Sequence, residues 1–521
     1  MALPDSLRAL LDPRAYPHPC RQIELIETHI SWVILTGDFA YKLKKPVRFN
    51  FLDFSTLALR AHFCREEVRC NRSFAPELYL GVVAVTKGHS GLEITTAPAG
   101  EVFEWAVQMR QFDPDQALDR VLLRGELSPD ELRRFGADLA TKHAALSVHN
   151  GQPDEVPKRI FGPVEDSFSE IGITGLATRH PELFLETRET ARTLGESLRE
   201  QFDQRMVGGA VRECHGDLHL SNLALIDGRV TAFDCLEFNE NLRWIDTISD
   251  VAFLFMDCHC RGEQALAYEF LDGYLDASAD YEGACLLHYF AAYRSVVRAK
   301  VAALRWVQME DEDTAGRFAE HLGWARDFLR RPPGRLVLTC GLSGSGKSYL
   351  AERLVGLVPA VRLRSDVARK FLAGLERRAY SGSPVDGGLY SEAQSTRTFE
   401  YLVLLARRLL LAGEHVIVDA TFIERARREQ FAALAAELDV QMTILYCDAP
   451  LDVLEQRLAA RAAGGQDPSE ATAAVLAQQQ QRFQPPEGQE PFVRVDTTQA
   501  FTQEVLAVLV RAICDQGSNS N

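Results

Sequence analysis

His-Gly-Asp-Leu-His-Leu-Ser-Asn spans residues 215–222, and its reading decides the fold of the chain around it. The pattern is H-x-D-x-x-x-x-N. It places a carboxylate and a carboxamide on one loop. Asp217 can orient or deprotonate an attacking hydroxyl, and Asn222 can offer an oxygen to a divalent metal. Twelve residues after Asn222, the strand-like Val230-Thr-Ala-Phe233 ends in Asp234, a second carboxylate for the same metal. Together they suit phosphoryl transfer, which needs a base near the acceptor and hard oxygen ligands for magnesium. His215 is expected to brace the loop by hydrogen bonding rather than to move protons, and His219 to be structural.

A second loop, Gly-Leu-Ser-Gly-Ser-Gly-Lys-Ser at 341–348, fits G-x-x-x-x-G-K-[ST]. Gly341, Gly344 and Gly346 let the backbone bend so that N–H groups, Ser345 among them, point at phosphate. Lys347 adds positive charge at the β and γ phosphates, and the Ser348 hydroxyl can bind magnesium. Tyr349 begins a helical run whose positive end faces the same phosphates. A buried-strand run, Arg335-Leu-Val-Leu-Thr-Cys340, leads into the loop, as this motif requires.

At 521 residues the chain is too long for one core; two to four folding units are expected at roughly 100–200 residues each. The net charge of -16 argues against tight non-specific nucleic-acid binding, which rests on Lys and Arg. No secretory signal opens the chain and no apolar run reaches the ~18 residues of a membrane span. The 11 cysteines are scattered, which suits free thiols in a reducing cytoplasm. Cys258-His259-Cys260 lacks metal-site spacing and reads as buried side chains.

Residues 29–50 hold two β-rich runs split by Gly37-Asp38, a hairpin signal. A helical stretch at 56–73 and β-type runs at 79–86 and 101–110 complete a small lobe of about 25–107. A large lobe is expected over about 108–330, helical from Ser128-Pro129-Asp130-Glu131, a good helix start. Arg331-Pro332-Pro333-Gly334 is the expected boundary between a domain at 1–330 and one at 334–514. Beyond it, strand runs at 360–364, 415–419 and 442–447 alternate with helices, implying a parallel sheet covered by helices. The run Gln478–Gln481 reads as a solvated helix surface and the tail 515–521 as disordered.

HGDLHLSN followed by TAFDCLEF resembles the aminoglycoside phosphotransferase branch of kinase-like folds over about 25–330. Phe233-Asp234-Cys235 departs from the protein-kinase D-F-G as that branch does, and Asp246 and Asp250 resemble its structural acidic segment. The resemblance implies a two-lobed α+β domain with a strand lysine paired to a helix glutamate at the ATP phosphates. Lys42 and Lys44 share one face of their strand, and either could serve. Glu66 is the first choice of partner, with Glu67 behind it. Glu104–Met109 resembles the hinge that meets adenine.

Downstream of the second loop, Arg364-Ser365-Asp366 offers a carboxylate as base toward an acceptor hydroxyl, or as a helix cap. Asp419 closes the strand run His415–Val418 and can reach magnesium, and Arg457 and Arg461, four apart on one helix face, could close on ATP. GLSGSGKS, RSD, VIVDAT and the arginine-bearing helix resemble the polynucleotide-kinase, zeta-toxin and gluconate-kinase group of P-loop kinases. An AAA-family ATPase label would follow the loop alone, but no motor features accompany it. The expected protein is thus an α+β kinase-like domain followed by an α/β P-loop domain, a cytoplasmic, bifunctional, Mg-ATP-dependent phosphotransferase acting on a small hydroxyl-bearing acceptor. Alternatives are one ATP site serving as a nucleotide sensor, or a C-terminal polynucleotide-kinase-like or toxin-like kinase.

Overall fold

The computed structural model describes residues 3–49, 52–88, 91–98, 100–375, 389, 391–464 and 472–514; the tail 515–521 lies outside them. Two compact units form. One comprises Met1–Leu127, Lys142–Pro163 and Arg199–Asp257; the other comprises Ser128–Thr141, Val164–Leu198 and Cys258–Asn521. The Arg331–Gly334 segment therefore falls inside the second unit, and helices preceding it share that unit with the P-loop sheet.

The first unit is built on a six-stranded antiparallel sheet. Its spatial order is Glu24–Glu27, Ser31–Leu35, Phe39–Lys44, Val102–Arg110, Tyr79–Gly88, Gly91–Thr95. The hairpin turns at Gly37-Asp38, as the sequence implies. Alternation sorts the strand Phe39–Lys44 between two environments. Tyr41 and Leu43 enter an apolar core with Trp32, Ile34, Val83 and Val85. Lys42 and Lys44 project to the other face, which the helix Leu57–Asn71 covers. Thr56 caps that helix, its hydroxyl accepting from the Leu59 N–H at 3.2 Å. Two short antiparallel pairs frame the 215–222 loop: Val211–Glu213 with Trp244–Asp246, and Leu223–Ile226 with Arg229–Ala232.

The second unit holds a five-stranded parallel sheet in the order Ala360–Arg364, His415–Asp419, Leu336–Cys340, Met442–Asp448, Phe492–Asp496. Four of these strands stand where the apolar runs put them. The fifth gave no such signal because it is a short edge strand with an alternating, largely exposed pattern. Leu336–Cys340 is buried at every residue, which is the mark of a central parallel strand. Helices Pro129–Ala145, Pro181–Ser197, Gln264–Ser278, Leu287–Met309 and Glu312–Leu329 contribute to this unit. At the first of these, Ser128 and Glu131 exchange the reciprocal bonds of a capping box, at 2.9 and 3.2 Å. No helix among the described residues is long and apolar enough to cross a membrane.

Candidate active sites

The loop 215–222 is held from below. Asp250, fully buried in the helix Thr247–Cys260, accepts from the backbone N–H of His215 at 3.1 Å and of Gly216 at 2.9 Å. His143 also reaches Asp250, at 3.2 Å. The His215 ring packs edge-on against Phe74, and its Nε2 lies 2.9 Å from the Phe233 carbonyl. Burial lowers the His215 pKa, with Asp250 and Asp217 opposing. The imidazole is a neutral brace, as the sequence suggests. Among the described residues, one group could hold a metal by proximity, His143, Cys214 and Asp250, and its carboxylate is the one that supports this loop. Cys258 is buried, and the His259 ring packs edge-on to Trp324 and tilted against Phe328.

Above this support, Asn222 donates through Nδ2 to both the carbonyl and the carboxylate of Asp217, each at 3.0 Å. The bond fixes the Asp217 rotamer and leaves the Asn222 carbonyl oxygen as a potential metal ligand. Asp234 has the left-handed φ of 64°, rare for a residue with a side chain, and its N–H donates to the Tyr79 hydroxyl at 3.0 Å. Its carboxylate pairs with Lys42.

Both strand lysines are used, and one glutamate serves them. Glu67 bridges Lys42 at 2.8 Å and Lys44 at 2.7 Å, and Lys44 also pairs with Glu237. Glu66, the first choice in the sequence, does not take that place: it pairs with Arg69 at 2.9 Å. The helix geometry gives the reason. Arg60, Cys64, Glu67 and Asn71 recur at spacings of four, three and four, so they form one buried stripe, and Glu66 lies a hundred degrees or so off it. Burial opposes the charge on Lys42, but Asp234 and Glu67 outweigh it and raise its pKa. Glu237 was not singled out in the sequence; burial raises its pKa, with Lys44 opposing. Glu104, at the start of the hinge-like segment, is tied by Arg60 at 2.8 Å.

In the second unit the loop 341–348 joins the central strand to the helix Lys347–Leu354. Gly341 has φ of 138°, and a Cβ there would meet the Cys447 carbonyl oxygen at 2.3 Å, so only glycine fits. Lys347 is buried; its ammonium donates to the Leu342 carbonyl at 2.7 Å and lies 3.4 Å from the Ser345 hydroxyl. Burial lowers its pKa, against the pull of Cys447 and Asp419. The Ser348 hydroxyl donates to Asp419 at 3.0 Å, bringing together two hard oxygen donors.

A cavity of about 550 Å³ opens over this loop. Gly344, Gly346, Lys347, Ser348, Tyr349, Asp366, Asp419, Arg457 and Arg461 all line it, whereas Gly341 and Ser345, also named from the sequence, are not part of the lining. Arg457 is tied to the loop itself, donating to the Gly344 carbonyl at 3.3 Å and the Thr497 carbonyl at 2.6 Å. Asp366 does not cap its helix: Arg364 holds the cap position, and Asp366 pairs with Arg369 at 3.0 Å. Tyr349 is half-exposed, its ring under the Arg353 guanidinium. Two participants were missed. Arg364 lines the cavity and stands 3.6 Å from Asp419. Gln479, read as solvated, accepts from the Ser343 N–H at 2.8 Å; only Gln480 and Gln481 of that run are exposed. A glutamine run carries no periodicity that could have shown this.

Residues 56–287 match a family described as the phosphotransferase enzyme family, and residues 336–486 match an AAA domain. The chain is 32% identical over 467 residues to the uncharacterized protein Rv2004c of Mycobacterium tuberculosis, covering 88% of this chain and 90% of that protein. This chain belongs to the same family as that protein. The uncharacterized protein Mb2027c of Mycobacterium bovis gives the same identity and coverage. Solved structures similar to parts of the chain include a gluconokinase from Sinorhizobium meliloti (20% identity, 35% of this chain and 91% of that one, TM-score 0.25). Another is an ethanolamine kinase of Plasmodium vivax (11% identity, 58% and 81%, TM-score 0.37). The chain is an enzyme of the phosphotransferase class, a kinase-like domain fused to a P-loop kinase domain.

Proposed function

We propose that both sites use Mg-ATP and that the chain is a bifunctional kinase, each site moving the γ-phosphoryl group to a hydroxyl of a small-molecule acceptor. The observation that carries this reading is that each unit assembles its own full set of groups. In the first, Asn222 bonds Asp217 on the loop and Lys42 pairs with Asp234, and the Phe233 N–H, next to Asp234, donates to the Asn222 backbone carbonyl at 3.0 Å. In the second, Lys347, Ser348, Asp419 and Asp366 line one cavity. Oxygen donors and a buried cation at each place are the donor chemistry that Mg-ATP requires.

Mg-ATP supplies the phosphoryl group and shields its charge when bound. The protein's part in the first site is positional. Asn222 orients Asp217 toward the acceptor hydroxyl, whose proton Asp217 accepts. Glu67 anchors Lys42 so that its ammonium presents to phosphate oxygens, and Asn222 and Asp234 offer the metal ligands. In the second site the loop N–H groups and Lys347 cradle phosphate, Ser348 and Asp419 offer oxygens to the metal, and Asp366 faces the acceptor. Arg457 and Arg461 add charge at the transferring group. The acidic balance of -16 favours a small acceptor over nucleic acid, and free thiols at every cysteine fit a reducing cytoplasm.

The test is ATP consumption against a panel of sugars, amino alcohols and other hydroxyl metabolites, with Asp217→Ala and Lys347→Ala made separately. Each substitution is expected to remove a different activity. If neither changes any turnover, the two-kinase reading fails. A site whose variant loses nucleotide binding but no turnover is a sensor.

A further inference from the structure

The strand Ala360–Arg364 and the helix Gln264–Ser278 meet through a ladder of ion pairs within the second unit. Arg362 binds Asp272 through two nitrogens, at 2.9 and 2.8 Å. Arg364 binds Asp276 at 2.7 Å. The spacing matches: two residues of strand advance about 6.6 Å, and four residues of helix about 6 Å. The Arg364 N–H is also fixed, donating to the Tyr281 hydroxyl at 3.2 Å. Gly273 lets the helix sit close to its neighbour, since a Cβ there would lie 2.0 Å from the Arg133 carbonyl oxygen. The helix lies outside the residues that match the AAA domain, so its acids are additions to the P-loop site.

The two rungs differ in what lies beyond them. Arg362 and Asp272 are both buried and neither lines the cavity; toward it Arg362 reaches only the Ser348 backbone carbonyl, at 3.5 Å. Arg364 lines the cavity, and its Nε stands 3.6 Å from the Asp419 carboxylate whose other oxygen accepts from Ser348. One guanidinium thus stands between two acids, hydrogen-bonded to Asp276 and in a looser ion pair with Asp419, just beyond hydrogen-bond range.

We propose that Asp276 is a positioning residue of the P-loop site: it holds the Arg364 guanidinium back from Asp419 and so keeps Asp419 and Ser348 open to a divalent cation. The proposal rests on the assignment of Asp419 and Ser348 as the metal side of that site. Without the Asp276 charge, Arg364 closes onto Asp419 and competes with the metal for its oxygens. Asp272, equally acidic and one turn away, does not have this effect.

The experiment measures binding of a fluorescent ADP analogue to the full-length chain while Mg2+ is titrated, counting only the signal that Lys347→Ala removes. A parent chain with no such Mg2+-dependent signal overturns the metal assignment and this proposal together. With the signal present, Asp276→Asn is expected to raise the Mg2+ midpoint about tenfold and leave Mg2+-free binding as it was. Asp272→Asn is expected to lower the melting temperature and move the midpoint less than twofold. An unchanged midpoint in Asp276→Asn, or an equal shift in Asp272→Asn, overturns the proposal. The route through Arg364 is tested by a second comparison: Asp276→Asn added to Arg364→Gln should cause no further change. A further shift there refutes the competition, and this comparison stands even if Asp276→Asn alone fails to fold.

Discussion

Lys42 and Lys347 are both buried cations at the proposed phosphate sites, and their surroundings are opposite in kind. Lys42 sits among carboxylates, with Glu67 and Asp234 in contact and Glu237 one lysine away. Lys347 rests on a carbonyl oxygen and a hydroxyl. The first pKa is raised by those acids and the second is lowered by burial. The difference follows from how each fold makes room for phosphate. A sheet-and-helix lobe has no spare backbone N–H groups, so it brings a lysine and must balance it with acids. A glycine loop supplies N–H groups from the backbone, so its lysine can stay without a carboxylate partner until a ligand arrives.

The largest effects should fall on chemistry and separate the two regions cleanly. Asp217→Ala should lower turnover at the first site by about 10²–10⁴-fold, the usual contribution of a positioned base. Its partner Asn222 loses only a bond to it, so stability should hardly move. Steady-state ATP consumption and a denaturation curve check the two halves. A loss of both activities with Asp217→Ala would mean the regions are not independent.

Stability gives the next test, and here the two lysine sites should diverge. Glu67→Ala strips the shared counter-ion from two buried lysines and should cost about 3–5 kcal/mol. Lys347→Met removes a desolvated cation that no carboxylate holds, and should change stability by about 1 kcal/mol or less. Urea denaturation of each variant decides it. Equal costs would break the contrast between the two sites.

A titration adds a probe confined to the second unit. Burial, aided by the nearby charges of Arg331 and His288 and opposed by Glu414, lowers the His259 pKa to about 4. The unfolded chain takes up that proton near pH 6.5. The neutral ring therefore contributes its full stability above about pH 6.5, and the contribution is lost as pH falls toward 4. The loss amounts to up to roughly 3 kcal/mol at about 1.4 per pKa unit. His259→Phe should flatten the acid limb of the urea midpoint; an unaltered limb would show that other groups carry it.

What the sequence revealed and what it hid follow from locality. The two loops were legible because each packs its chemistry into eight residues with constrained spacing, and four strands of the parallel sheet because apolar residues predominate in each short run. Glu67 over Glu66 was legible in principle: the stripe at 60, 64, 67 and 71 selects it, but its members are polar or small and no apolar pattern announces it. Asp276 was not legible. Its partner Arg364 lies 88 residues further along the chain, and nothing local to a helix acid names a strand arginine as its counterpart.

The smallest predicted effect sharpens the same contrast from the P-loop side. If that loop depends on backbone geometry rather than on acids, then a neutral side chain that orders the backbone should matter measurably. Gln479 is such a group, accepting from the Ser343 N–H at 2.8 Å across 136 residues of sequence. Gln479→Ala leaves that N–H to water at the cavity edge and removes one neutral hydrogen bond, worth about 0.5–1.5 kcal/mol. Nucleotide affinity at the P-loop should fall by about 2- to 12-fold, the same energy expressed as a ratio. Gln480→Ala, one residue on and exposed, should fall within the error of the parent. Binding isotherms for the pair test the assignment. Equal affinities would place the loop's order in its own glycines and serines, with the helix Ala473–Arg482 only lying beside it.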